Sequence, residues 1–188
     1  MMKNFIEFLT YNKRKKKSFV TTGTGVDFFP FNPNPDDIFI EDIFQSLSMQ
    51  CRFNGHCSSF YSVARHSLIG SYIIQPEYAL EFLAHDFSEA YISDIPAPIK
   101  KFMKQAVKIE NKISEEINKK LNITFPMSKE VHEMDQLMFR MEFTYLMGSK
   151  EFQDEKFPLS KEDFMKEVEI SQKDTKQEMK NRFLNLTA

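Results

Sequence analysis

The sequence predicts an all-α domain with a short β-hairpin decoration near its start. Apolar residues recur at helical spacing in one segment after another. Prolines and glycines fall mainly between those segments. Only 5 of 188 residues are glycine, too few for a turn-rich all-β fold. With 41% hydrophobic residues, 20 of them Phe, the chain can bury one sizeable core.

The start, residues 1–18, ends in the basic run "NKRKKK", Asn12 to Lys17, and reads as a solvated tail or terminal helix. Between Thr21 and Val26 two glycines sit among β-formers, which fits a small hairpin. Pro30, Pro33 and Pro35 then forbid helix. A first helix should follow Asp36 or Asp37 as cap, with Ile38, Ile43, Phe44 and Leu47 on one face. It stops at Asn54-Gly55. A second fits Ser58 to Ile74, and Pro76 opens a third over "PEYALEFLAHDFSEAY". "DIPAPIK" breaks that helix, because Pro96 and Pro98 disfavour helix at the residue before them. A fourth, strongly charged, runs from about Pro98 to Leu121. A fifth begins at Ser128 and ends at Gly148. One last helix should cover Lys161 to Leu186, with Phe164, Val168, Thr175, Met179 and Phe183 on one side.

A net charge of -2 gives no reason to expect a stable nucleic-acid partner. The two cysteines, Cys51 and Cys57, form no metal-binding pair of pairs and read as lone thiols of a reduced, cytoplasmic protein. No apolar run is long enough to span a bilayer.

Four ionisable groups in "LAHDFSEAYISDIP" stand out, because the helix that carries them is apolar nearly all round. Buried charges are costly unless paired or bound to metal. His85 and Asp86 are adjacent, about 100° apart on a helix, and can reach one ion from the same side. Glu89 lies on the same flank. His66 has Val63, Ile69 and Ile73 around it on an apolar stripe and should point inward, as a hydrogen-bonded core residue or as a ligand. Asp135 shares a mostly apolar face with Val131, Met138, Glu142 and Tyr145. It needs a partner, either a lysine, Arg140 or a metal. Two imidazoles and two carboxylates suit six-coordinate Mn, Fe, Co, Ni or Zn better than a structural tetrahedral zinc. The other two histidines, His56 and His132, lie at no evident ligand spacing.

The order His66, then His85-Asp86, then Asp135 resembles the HD-domain metal-dependent phosphohydrolase superfamily. The stretches "SLSMQCRFNGH", "YSVARHS", "LAHDFSEAYISDIPAPIK" and "EMDQLMFRMEF" are more closely similar to its 5′-deoxynucleotidase-like branch, which includes phage-encoded members. The resemblance runs from about Phe28 to Leu146. It implies an HD-domain helical bundle, which we place at residues 19–150; residues 151–188 lie outside the resemblance and are expected to form a helical extension packed on the same domain. It implies His66, His85, Asp86 and Asp135 as metal ligands, with a transition metal bound (Co, Mn, Zn, Ni or Fe, and Mg as a further option). Glu89 would orient or deprotonate the attacking water, and Asp94 would act beside the sugar and phosphate. Arg52 would contact phosphate, which its planar fork can grip at two oxygens, and Phe53 would lie next to the sugar. We add His56 and Lys100 to the substrate-binding set. One position departs from the pattern: Arg65 stands where relatives often carry Glu, which should rewire a local ion pair and spare the ligands.

The expected reaction is 5′-phosphate removal from deoxynucleoside monophosphates. A deoxynucleoside triphosphate triphosphohydrolase keeps the same site and changes the substrate, with Lys100, Lys101 and Lys104 serving the longer phosphate or else forming a solvated face. A degenerate HD module that binds nucleotide without turnover is a third reading, against which the full ligand set and Glu89 weigh. The abundance of Phe, Met and Leu, together with the resemblance, leads us to expect a homo-oligomer.

Overall fold

The computed structural model describes residues 18–188; the basic run Asn12–Lys17 lies outside the described residues. The chain is mainly helical, with one two-stranded antiparallel sheet, β1 (Val20–Thr21) against β2 (Asp27–Phe28), in the register Val20↔Phe28 and Thr21↔Asp27. Gly25, at φ 84°, closes the turn between them. Asp42 accepts from both the amide and the hydroxyl of Thr24, at 2.7 Å each, and so pins the hairpin to the first helix.

That helix, α1 (Ile40–Met49), buries Ile43, Phe44 and Leu47. Asp36 and Asp37 do not cap it. Pro35 fixes φ at the start of a separate 3-10 turn, Pro35–Asp37, whose cap is Asn34, and Phe39 precedes the helix. A 3-10 turn at Arg52–Gly55 carries Phe53 and Asn54 at φ 55° and 51°. Helix α2 (Val63–Ile73) starts later than Ser58, because Ser62 accepts from the Arg65 amide and caps it. Every residue of α2 from Val63 to Ser71 is buried, so this is the central helix.

The expected third helix is two pieces, α3 (Ala79–Ala84) and α4 (Glu89–Ile92), with the chain turning through His85–Ser88. The fourth is also divided, into α5 (Ala97–Lys100) and α6 (Lys104–Leu121). Helix α7 (Lys129–Met147) has the expected ends: Ser128 caps it and Gly148 closes it at φ 66°. The last helix is interrupted too. Ser171 ends α8 (Lys161–Val168) and opens α9 (Gln172–Thr187) by accepting from the Asp174 amide.

Two apolar clusters meet across α2 and α3. One gathers Phe28, Phe44, Leu68, Phe87, Ile113 and Met179. The other gathers Tyr61, Phe82, Val131, Met138, Met141 and Phe164. Residues after 150 therefore contribute to both. Arg65 adds a polar tie. Its guanidinium donates to Thr175 at 2.7 Å, Glu178 at 2.7 Å and Glu167 at 3.1 Å, so α2 is bound to both α8 and α9. Among the described residues no helix is long and apolar enough to cross a membrane.

Gly70 shows how tightly α2 and α3 pack. A Cβ there would lie 2.0 Å from Cε1 of the fully buried Phe82 ring. Alanine improves helix propensity by about 1 kcal/mol, but overpacking a buried ring costs about 1–3 kcal/mol, and the clash should win. We expect Gly70→Ala to lower the urea midpoint; an unchanged or raised midpoint would mean that the Phe82 ring swings aside freely.

Candidate metal centre

Three segments deliver one cluster of nitrogen and oxygen donors. His66 comes from the centre of α2, His85 and Asp86 from the turn that follows α3, and Asp135 from α7. The Nε2 atoms of His66 and His85 face each other at 3.3 Å. Asp135 Oδ1 lies 3.2 Å from His66 Nε2 and 3.7 Å from His85 Nε2. Asp86 Oδ2 lies 3.1 Å from His85 Nε2 and 3.8 Å from His66 Nε2. His66, His85 and Asp135 each offer a ligand atom within 4.8 Å of the others, so this trio could hold a metal ion. Asp86 borders it closely on the His85 side. Arg140, the alternative partner for Asp135, instead bonds Glu155 at 2.9 Å.

The outer nitrogens decide how these rings can act. His85 Nδ1 donates to the Phe82 carbonyl at 2.6 Å. His66 Nδ1 donates to Glu142 Oε1 at 2.6 Å. With both Nδ1 protons so engaged, the neutral tautomers present two Nε2 lone pairs to each other. Two lone pairs at 3.3 Å repel unless something positive lies between them. A proton or a metal ion satisfies that demand, and hydrogen bonds to the far ring nitrogen are the usual way a protein orients a ligating histidine. The donor set fits a divalent ion.

Glu142 is the supporting residue that the sequence reading placed on the Asp135 face without giving it a role. It is fully buried and accepts from Tyr61 at 2.9 Å and from Arg52 Nε at 3.2 Å, besides His66. Its position seven residues after Asp135, two helical turns on, was the available signal. Burial works against its charge, but Arg52 and His66 outweigh burial and hold the carboxyl below the ordinary Glu range. Burial likewise disfavours the His85 imidazolium, yet Asp86 and Asp135 lift His85 well above the ordinary His value. Asp86, also buried, is held down to about 2 by His85 and His66.

Asp86 and Asp135 thus favour the protonated ring of His85, and a metal must displace that proton. Affinity for a divalent ion should rise with pH, by about tenfold per unit for each proton displaced. Calorimetry in buffers of different ionisation enthalpy would count those protons. A flat affinity between roughly pH 6 and 8 would contradict the assignment.

The remaining expected residues are distributed around this centre. Arg52 reaches it directly, with Nη1 3.6 Å from Asp86 Oδ2. Its guanidinium is thus already shared between Asp86 and Glu142. Glu89 opens α4; it is buried, and its Oε2 has no hydrogen-bond partner. Burial, reinforced by Asp86 and Asp94, pushes its carboxyl well above the usual Glu value. Burial also raises Asp94, although Arg52 opposes it. Gln50 sets the backbone between them, donating to the Glu89 carbonyl at 3.0 Å and accepting from the Asp94 amide at 3.2 Å. Phe53 packs beside Phe139 and Phe143, at 6.3 and 6.5 Å between centroids. His56 is exposed at the end of the 3-10 turn and does not line the cavity at the centre. Lys100 does line it, paired with Glu110 at 2.6 Å. That cavity, about 660 Å³, is bounded by His85, Asp86 and Asp135 and by the apolar Phe125 and Met127.

No family model matches the chain. It is 43% identical over 125 residues to the uncharacterized protein YfdR of Escherichia coli strain K12, an alignment covering 66% of this chain and 70% of YfdR. It is 27% identical over 134 residues to an uncharacterized protein of Rhodobacter capsulatus, covering 64% of this chain and 68% of that protein.

Proposed function

The chain belongs to the family of Escherichia coli YfdR, and for this member we propose a metal-dependent phosphohydrolase that removes the 5′-phosphate from deoxynucleoside monophosphates. One observation carries the reading: two buried imidazoles aim their Nε2 atoms at one point beside the carboxylates of Asp86 and Asp135. The point opens on a cavity of about 660 Å³ lined by the apolar Phe125 and Met127 and by charged groups of both signs, Lys100 and Lys112 among Glu81, Glu110 and Glu115. The resemblance to HD-domain phosphohydrolases assigns the same four residues as ligands.

A bound divalent ion, one of Co, Mn, Zn, Ni or Fe with Mg as a further option, would polarise a phosphate oxygen and lower the pKa of a water beside it. The protein's own groups do the rest. Arg52 holds a phosphate oxygen from the side of Asp86. Glu89, its carboxyl raised by burial and by Asp86 and Asp94 and with one oxygen free, takes a proton from the attacking water. The water oxygen bonds to phosphorus as the bond to the 5′ oxygen breaks. The products are orthophosphate and a deoxynucleoside, whose 5′ oxygen gains a proton. Asp94 works beside the sugar and phosphate, and Phe53 and Phe125 offer faces for the nucleoside.

The alternative substrate, a deoxynucleoside triphosphate, needs free cations for the added charge. Lys100 is paired with Glu110, which weighs toward the monophosphate. We also propose a homo-oligomer, on the exposure of Ile99, Phe102, Met103 and Phe139; Phe102 is 79% exposed.

The test is a panel of deoxynucleoside mono- and triphosphates with Co²⁺, Mn²⁺ or Mg²⁺, scored for orthophosphate against triphosphate release. Orthophosphate from monophosphates is expected. Triphosphate release would move the protein to the alternative. Tight nucleotide binding without any hydrolysis would leave only a binding module. Light scattering at micromolar concentration checks the assembly, and a monomer mass would refute it.

A further inference from the structure

Cys51 and Cys57 are separated by five residues, and those residues include Arg52 and Phe53. Their Sγ atoms lie 3.6 Å apart. Both ends of this loop are anchored. Cys51 forms an antiparallel bridge with Ser62, and the Arg52 amide donates to the Tyr61 carbonyl at 2.9 Å. At the other end the Ser58 amide donates to the Leu146 carbonyl at 3.1 Å. Between the anchors Phe53, Asn54 and Gly55 all have positive φ, at 55°, 51° and 75°, and this left-handed turn folds the second thiol back onto the first. Both cysteines are free and only partly buried, so a small oxidant can reach them.

We propose that Cys51 and Cys57 are a reversible oxidation site, whose disulfide fixes the loop that carries Arg52. The chemistry balances with a peroxide as oxidant. One thiolate attacks a peroxide oxygen, breaking the O–O bond; it becomes a sulfenic acid, and hydroxide leaves and is protonated to water. The second thiol then attacks the sulfenic sulfur, the S–S bond forms, and a second water departs. Two electrons pass from the pair of thiols to the peroxide. Closing the bond requires the sulfurs to move from 3.6 Å to about 2.05 Å, and Cys57 Sγ is also in contact with the Arg52 carbonyl, at 3.7 Å. That carbonyl belongs to the residue whose side chain holds Glu142 at 3.2 Å and faces Asp86 at 3.6 Å. The oxidation state of the pair is thereby linked to where the guanidinium stands.

The test uses the full chain, oxidised with a small excess of hydrogen peroxide under native conditions and then reduced with dithiothreitol. Both thiols should disappear together, the intact mass should fall by two hydrogens, and peptide mapping should join Cys51 to Cys57 within one chain. Amide hydrogen exchange across Phe53–His56 should slow in the oxidised protein, and dithiothreitol should restore both the thiols and the exchange rate. Cys51→Ser and Cys57→Ser should each keep a single thiol that gains oxygen or pairs between chains. Separate oxidation of the two thiols in the wild-type protein, or disulfides only between chains, would overturn the site. A loop disulfide without slowed exchange would overturn its hold on the loop. The functional consequence rests on the proposed phosphate site: KM for the deoxynucleotide should change several-fold on oxidation, and Arg52→Ala should remove the difference. An unchanged KM in an active enzyme would overturn the link to Arg52. An inactive enzyme with intact loop chemistry would count against the phosphohydrolase reading alone.

Discussion

Replacing His85 or Asp86 by alanine should strip the metal and abolish turnover together. Purified wild-type protein is expected to carry one transition-metal ion per chain. His85 is the pivot of the donor set, since its Nε2 lies 3.1 Å from Asp86, 3.3 Å from His66 and 3.7 Å from Asp135. Without its ring, His66, Asp86 and Asp135 remain, but the donor that each of the other three approaches is gone, and the set is left with a single imidazole. Asp86→Ala removes a carboxylate and also leaves Arg52 beside the centre without its closest carboxylate on that side. Losing Glu142 should be milder. In Glu142→Gln the ring of His66 loses a charged acceptor but no ligand is lost, and outer-shell changes of this kind cost about 10–100-fold in metal affinity. Elemental analysis after gel filtration separates the cases. A fully loaded Asp86→Ala protein would remove Asp86 from the ligand set and leave the trio.

Glu89→Gln should keep the metal and the nucleotide and lose the reaction. Glu89 is not needed to complete the cluster, and the free Oε2 of its buried carboxyl is the feature that a proton-transfer role requires. Removing general acid–base catalysis lowers turnover by about 10²–10⁴-fold. The pH profile adds a second readout. Because burial, Asp86 and Asp94 raise the Glu89 pKa, the base is protonated, and idle, below that raised value. Activity in the wild type should therefore rise with pH through it, and the rise should be absent in the glutamine variant. Arg52→Ala should behave differently. In the proposed reaction it holds ground-state phosphate, so the loss should appear in KM, with a further loss in kcat because Glu142 also loses its guanidinium partner. If Glu89→Gln loses the metal as well, Glu89 belongs among the ligands.

The residues of the donor cluster were legible because each problem was local. His66 sits on an apolar stripe, and an inward histidine must be satisfied. The neighbouring His85 and Asp86 lie in a segment too apolar to be solvent-exposed. Their chain turn was not legible. "ALEFLAHDFSEAY" has uninterrupted helical periodicity, yet the structure leaves the helix at His85 and resumes it at Glu89. Tertiary demands on His85 and Asp86 override propensity there. Glu142 was visible only as a companion of Asp135, since its partners Tyr61, Arg52 and His66 lie 76 to 90 positions away. The break before α9 was written in the sequence as Ser171 three residues ahead of Asp174, a cap signal masked by the apolar stripe running past it. The cysteines read as lone thiols because nothing in "CRFNGHC" announces a left-handed Phe53.

Arg65 has a consequence for the order in which the molecule can be finished. It is the immediate neighbour of His66, it is buried, and its guanidinium has its partners in Glu167, Thr175 and Glu178, about a hundred positions later. As the chain leaves the ribosome, the residues of the metal cluster are all synthesised before those partners exist. Until α8 and α9 arrive, α2 lacks both the acceptors of Arg65 and the apolar side chains, Phe164, Val168 and Met179, that those helices add to the two clusters. The nascent polypeptide can make helices early, but the helix that carries His66 settles only when the last partners have been translated. On the proposed metal reading, capture belongs to the end of biosynthesis, and a nascent chain halted before residue 160 should emerge without a formed centre.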